Sequence, residues 1–466
     1  MQMDVQVGGR AKALYQRDSP GVGCAPFQPR LLEQKSCDDP VDDPQHRREQ
    51  LGMSSKQDTQ RNWKRQNPLF DRHARDDVID PVRGGLRHAP KNASDLFFSS
   101  GAPPHIKIEG ITMPVKSPAL GATETKALAY GLMNQKQTAQ FEAAFEMNLS
   151  ITFRDLGRFR VNVYQQRWRR GDGDPLPEVE DSHLRAALAT FCLEDLIMLK
   201  RGLVLIVGAA GSGKSTTMAS MIDYRNESTT GHIPCVEDPL ELVHSHKKSV
   251  VDQREVGIDT LTYADALKNA MREAPDVIAI GEIRDRETMQ HAMAYADTGH
   301  LCISTLHANN SNQAIERIVN FFPEDARKSL LMDLSINLRG VISQRLIPGI
   351  STKAVPAVEV MLVSPLIADM VQGGRVDEIK ELMGRSTELG MATFDQSLFA
   401  LFEQGKITLD EALRHADSVT DLKLRIKLTQ PVAITGEHLE ATIESIAPIP
   451  GPVELPGHPS LFHKPG

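Results

Sequence analysis

At 466 residues the chain is long enough for two or three domains with cores of their own. A formal net charge of −8 with 24% charged residues argues against a nucleic-acid binder that works by bulk attraction. The five cysteines, at 24, 37, 192, 235 and 302, form no C-x-x-C pair, which leaves no tetracysteine zinc site and points to reduced thiols in a cytosolic protein.

The N-terminus carries no apolar signal region, and no stretch approaches about eighteen uninterrupted apolar residues, so contact with a membrane is expected only through partners. Residues 1–92 are polar and mixed in charge, as in Gln60-Arg61-Asn62-Trp63-Lys64-Arg65. Such a segment cannot bury enough surface to offset its ordering entropy, and disorder is expected. Order is expected from 93 to 166, as a small α+β domain. Ser94 to Phe98 reads as a strand, Gly101-Ala102-Pro103-Pro104 as a turn and His105 to Ile108 as a second strand. Helices are expected over Thr123–Met133 and Thr138–Phe145. The alternation from Gly157 to Tyr164 predicts a half-buried strand with Arg158 and Arg160 on its exposed face. Neither period holds in the interdomain stretch 167–198.

An α/β nucleotide domain is expected over 199–350. The apolar run Leu203 to Val207 predicts a buried strand, followed by Gly208-Ala209-Ala210-Gly211-Ser212-Gly213-Lys214-Ser215-Thr216 and a helix. Gly-x4-Gly-Lys-Ser between strand and helix makes a phosphate cradle: backbone N–H groups turn inward, Lys214 reaches the β- and γ-phosphates, and Ser215 ligates Mg²⁺. His232 to Val236 reads as a second buried strand, with Pro234 awkward inside it. A helix over Thr262–Glu273 leads to Val277 to Ile280, a strand closed by Gly281-Glu282 at the sheet edge where ligands gather. Glu282 is therefore the candidate catalytic or metal-ordering carboxylate, acting on Mg²⁺ through water. His300 and His307 bracket the strand Leu301 to Thr305 and read as γ-phosphate sensors or relays to a neighbouring subunit. The region 351–429 is expected to be helical, with capping boxes at Thr393/Gln396 and Thr408/Glu411. The tail 430–466, with seven prolines, is expected to be loose.

On these residues the chain resembles the type II/type IV secretion ATPase superfamily, and within it the type IV pilus retraction ATPases of the PilT/PilU group. The resemblance covers roughly 93–166 and 193–428. It rests on the P-loop, on Val236-Glu237-Asp238-Pro239-Leu240-Glu241 (the family's Asp box), on Ile278 to Asp285 with Glu282 and Arg284 (Walker B), and on Thr298-Gly299-His300 through His307-Ala308-Asn309 (His box). It implies a RecA-like P-loop ATPase domain behind a PAS-like domain, and a homo-hexamer with ATP bound between subunits. It implies Glu237 and Glu282 sharing the tasks of polarising water and ordering the metal's shell, with Arg158 and Arg160 completing the site. It also implies a PilT-type paralogue and an inner-membrane platform protein as partners, at the cytoplasmic face of the membrane. The sequence is PilU-like: Pro365-Leu366-Ile367-Ala368-Asp369-Met370-Val371-Gln372 stands where PilT has Ala-Ile-Arg-Asn-Leu-Ile-Arg-Glu, and Arg385 to Met391 agrees.

Trp168 to Leu188 departs from the family pattern. Codons can be chosen for it that spell the family-like segment when read one base later, so compensating frame changes in or near 167–193 are expected. A genuine segment would lack an arginine near the neighbour's γ-phosphate. The expectation is thus an ATP-driven retraction motor. The alternatives are a ring component that binds ATP but turns it over poorly, and a secretion or assembly motor, the latter disfavoured by the missing zinc cysteines.

Overall fold

The computed structural model describes residues 2–7, 93–153, 157–166, 193–387 and 390–429. The interdomain stretch 167–192, the tail 430–466, most of the expected disordered extension and part of the stretch Arg385 to Met391 lie outside them. The first body comprises β1 (Gln2–Val7), β2 (Ala93–Ser99), β3 (His105–Ile108), β4 (Ile111–Pro114), α1 (Ala122–Leu132), α2 (Gln135–Ala144), β5 (Glu146–Phe153) and β6 (Gly157–Tyr164). Its strands form an antiparallel sheet in the order β4-β3-β2-β1-β6-β5. Gln2–Val7 corrects the expectation of disorder for those residues: it runs between β2 and β6, with Met3 opposite Phe98 and Val163. The brief alternation Met3, Val5, Val7 is a strand signal, masked in the sequence by the long polar stretch that follows. The alternation Met147, Leu149, Ile151, Phe153 likewise makes β5, another strand not anticipated. One sheet face, with Leu96, Phe98, Phe159, Val161 and Val163, packs on Leu128, Ala129 and Phe141 of the two helices.

The second body begins with α3 (Leu193–Ile197), β7 (Gly202–Gly208), α4 (Lys214–Ser228), β8 (His232–Glu237), β9 (Val250–Glu255), α5 (Tyr263–Ala270) and β10 (Val277–Ile280). It continues with α6 (Arg286–Asp297), β11 (Leu301–Leu306), α7 (Ser311–Asn320), α8 (Glu324–Asn337), β12 (Leu338–Ile347) and β13 (Val355–Leu362). The sheet order is β13-β12-β7-β11-β10-β8-β9, with every pair parallel except β12–β13. Leu203, Leu205 and Val207 enter the core on one face, and Val204 and Ile206 enter the core on the other. Each such side chain, fully buried, contributes about 1.5–3 kcal/mol, and helices on both faces explain why β7 reads as an unbroken apolar run. Pro234 lies within β8, and the register with β10 covers only Cys235 and Val236 beyond it.

Two expectations about domain limits change. Leu193, Leu196 and Ile197 of α3, expected in the linker, are buried in the ATPase core. The region after 350 does not start helical: β13 pairs with β12 from Val355 to Leu362, so the sheet crosses the expected boundary. Pro356 is tolerated because β13 is an edge strand.

Helices α9 (Pro365–Gln372), α10 (Ile379–Arg385), α11 (Phe394–Glu403), α12 (Leu409–His415) and α13 (Val419–Thr429) follow. Thr393 and Gln396 form the expected capping box. Thr408 also caps its helix, but Glu411 turns away from the expected return bond and pairs with Arg414 and His415. Among the described residues no helix is long and apolar enough to cross a membrane.

The uncovered face of the first sheet packs against β8 and β9. Ser99 Oγ and Tyr164 OH donate to Asp252 at 3.1 and 3.0 Å, and Asp252 also lies 2.6 Å from His232 Nε2. Arg254 pairs with Glu146 at 2.5 Å, and Lys107 with Asp276 at 3.1 Å.

Candidate functional site

The parallel strands deliver their C-terminal ends to one rim. There β7 ends in the P-loop, β8 in Glu237, β10 in Gly281-Glu282 and β11 in His307. Gly208 is required by close approach: a Cβ there would lie 2.3 Å from Ser212 Oγ and 2.7 Å from the Gln344 carbonyl. Gly211 and Gly213 are required by conformation, with φ of 73° and 89°. The loop therefore curls back on the start of α4, exposing Ala209, Ala210, Gly211 and Thr216 and half-burying Ser215. Lys214 is buried and donates to the Ala209 carbonyl at 2.9 Å. Burial pulls its ammonium below the usual lysine range, while Glu282 and Glu241 pull it back up. Ser212 Oγ is buried without a hydrogen-bond partner. A glycine cradle, a buried lysine and an uncommitted hydroxyl together suit a phosphate chain.

Around Glu282 the side chains form a connected cluster. Arg284 Nε donates to Glu282 Oε2 at 2.9 Å, and His307 Nε2 stands 3.1 Å from Glu282 Oε1. Arg284 also reaches the Asp238 carboxylate at 3.0 Å and the Asp238 carbonyl at 3.1 Å. Hydrogen bonding to Glu282 raises the already high Arg284 pKa further. The structure thus brings together Lys214, Glu282, Arg284, His307 and Asp238, with Glu241 and Glu237 on the same rim.

Three expected members are elsewhere. His300 precedes β11, whereas His307 follows it, and a strand of 6 residues separates them by about 20 Å. His300 Nδ1 instead contacts Thr298 Oγ1 at 3.2 Å, and its carbonyl accepts from Gly202 N–H. It is not a γ-phosphate sensor for this chain's own P-loop, because the polarity of a parallel strand puts it at the opposite rim. Arg158 and Arg160 are exposed on β6, as expected, but Arg158 donates to Ser150 across the β5–β6 pair. The first sheet docks along β9 and the start of β8, away from the P-loop strand.

Several contributors were not singled out from sequence. Gln253 Nε2 donates to Glu237 Oε1 at 3.2 Å and to the Leu242 carbonyl at 2.8 Å, steadying the Asp box. Thr305 Oγ1 donates to the Gly281 carbonyl at 2.6 Å, tying the ends of β10 and β11 together. Gln344 of β12 holds Thr217 at 2.8 Å from beneath the P-loop helix. Tyr263 places its hydroxyl beside Gly281. Each partner is distant in sequence, so no local spacing announces it.

A family model described as Type II/IV secretion system protein matches residues 186–392. The chain is 50% identical over 345 residues to the type IV pilus ATPase PilU of Pseudomonas aeruginosa, covering 72% of this chain and 89% of that protein. It is 38% identical over 337 residues to the PilT retraction ATPase of the same organism, covering 70% and 95%. A crystal structure of the pilus retraction motor PilT with bound ADP is 38% identical, covers 74% of this chain and 98% of that one, and gives a TM-score of 0.48.

Proposed function

Because this chain belongs to the type II/IV secretion ATPase family, in its PilT/PilU group of type IV pilus ATPases, we propose that it is a PilU-like motor that couples ATP hydrolysis to pilus retraction. It is an ATPase of the type IV pilus class. The finer reading is a homo-hexamer that supports twitching motility beside a PilT-type paralogue, engaging an inner-membrane platform protein from the cytoplasm. No nucleic acid is involved. The observation that carries the catalytic reading is the convergence of the P-loop with the Glu282–His307–Arg284–Asp238 cluster on one rim.

Lys214 exchanges the Ala209 carbonyl for the β- and γ-phosphates of ATP, while N–H groups from Gly208 to Thr216 cradle them. Mg²⁺, held by Ser215 directly and by Glu282 through water, would neutralise charge on the phosphates. Both oxygens of Glu282 are engaged by Arg284 and His307, whose side chains are 49% and 41% exposed. Ion pairs so open to water contribute about 0–1 kcal/mol each, so the carboxylate is readily released to its catalytic task. Glu237, steadied by Gln253, shares the positioning of the attacking water. Arg158 and Arg160 complete the site from an adjacent copy, and His300 serves as a relay between subunits.

Purified protein with Mg-ATP tests the reading. Turnover is expected, with loss of at least about 100-fold in Lys214→Ala and in Glu282→Ala; a monomer without affinity for ATP overturns it. A second reading, a ring component that binds ATP without turning it over, is favoured by the departure of Trp168 to Leu188 from the family pattern. Binding without turnover in the unsubstituted protein supports that one.

A further inference from the structure

Resting on the ATPase reading, we propose that Tyr263 is a positioning residue of the hydrolytic site. Its hydroxyl hydrogen-bonds to the Glu237–Glu282 carboxylate pair once nucleotide is bound.

Tyr263 is the first residue of α5, and its backbone is fixed by Thr262, whose side chain caps the helix by accepting from Asp265 N–H at 3.1 Å. The ring reaches the end of β10. A Cβ built on Gly281 would lie 3.1 Å from the Tyr263 hydroxyl and 3.1 Å from Glu237 Cα. The hydroxyl therefore sits at the junction of the strand ends that carry the two glutamates, where a side chain at 281 would crowd it. There it is buried and has no hydrogen-bond partner. Burial pushes the phenol far above its usual range, reinforced by Asp238, Glu237 and Glu282 against the opposing pull of Arg284, so it remains a proton donor.

A buried donor without an acceptor destabilises the state that contains it. Phenylalanine would fill the same space without that cost. Near two carboxylates, the donor finds its acceptor when they rearrange. Glu282 is now held by Arg284 and His307, and Arg284 also holds Asp238. Exchanging these half-exposed contacts for the bound nucleotide lets a glutamate carboxylate turn to the waiting hydroxyl.

The test is Tyr263→Phe in the full chain, with steady-state kinetics on Mg-ATP and thermal unfolding without nucleotide. Losing a hydrogen bond to a charged group lowers kcat about 10- to 100-fold, with KM for ATP unchanged and the melting temperature equal or higher. A kcat within about twofold of the unsubstituted protein overturns the proposal, as does a loss of kcat that tracks a lowered melting temperature. Lys214→Ala runs in parallel. An active unsubstituted protein, an inactive Lys214→Ala and an unchanged Tyr263→Phe sink this proposal alone, whereas an unsubstituted protein without turnover overturns it together with the ATPase reading.

Discussion

Glu273 is wholly buried, and neither of its oxygens has a hydrogen-bond partner. Arg254 lies 3.6 Å away but gives its closer contact, at 2.5 Å, to Glu146. Burial pushes the Glu273 carboxyl up to about 7, with Arg254 and His232 pulling down and Asp252 and Glu146 pushing up. A raised carboxyl favours the fold while protonated. Its contribution is therefore complete below the unfolded value of 4.5 and is lost as pH rises to about 7. The loss is on the order of 3 kcal/mol. Glu273→Gln should melt higher than the unsubstituted protein at pH 8, with the difference closing by pH 5; thermal melts across that range check it. At this scale the nucleotide site was the legible part. The spacing Gly-x4-Gly-Lys-Ser and the carboxylate after an apolar strand are local patterns that single out Lys214 and Glu282, and the structure sets both on one rim, with Arg284 and His307 on Glu282. Tyr263 and Gln253 were not legible, because each acquires meaning only from a strand end far along the chain.

Helix starts announce themselves by short-range chemistry, and strands that close a sheet do not. Thr393 and Gln396 exchange hydrogen bonds with each other's backbone, because a hydroxyl and an amide three residues apart can do so in one conformation. Thr393→Ala should lower stability by about 1 kcal/mol, measured by urea unfolding, since its oxygen satisfies the Gln396 N–H. The same spacing at Thr408 forms only half the box, because Arg414 and His415 compete for Glu411. Strand β13 shows the converse. Glu359 reads as a surface carboxylate, yet it is buried and accepts from Ser311 N–H, Ser311 Oγ and Ser343 Oγ. Those partners sit on α7 and β12, so a residue that looks wrong for a sheet interior is satisfied by elements its own neighbourhood cannot reveal. Burial raises the Glu359 carboxyl, and these three donors oppose the rise.

The two bodies meet through buried polar groups, with the Phe97 ring 5.2 Å from that of His232 beside them. Asp252 receives Ser99 and Tyr164 from the first sheet and His232 from the second, all within 3.1 Å. Asp252→Ala leaves those groups without their shared acceptor, at a cost of about 3 kcal/mol. Calorimetry of the variant should show the N-terminal sheet melting ahead of the ATPase domain, where the unsubstituted protein melts together. The existence of an α+β body ahead of an α/β one was legible from the loss of periodicity after residue 166, but their contact was not, since its side chains are scattered from Ser99 to Asp276. That contact has a second effect. β9 ends the larger sheet, but Val250 to Arg254 are all buried, and the outward amide of Val251 donates to His246 Nδ1 at 3.1 Å. Once uncovered, an edge strand of this kind is a template on which foreign chains can add themselves. An ATPase fragment shorn of its first 166 residues would lay that template bare, and clumping during expression, rather than lost catalysis, is the first defect it would show.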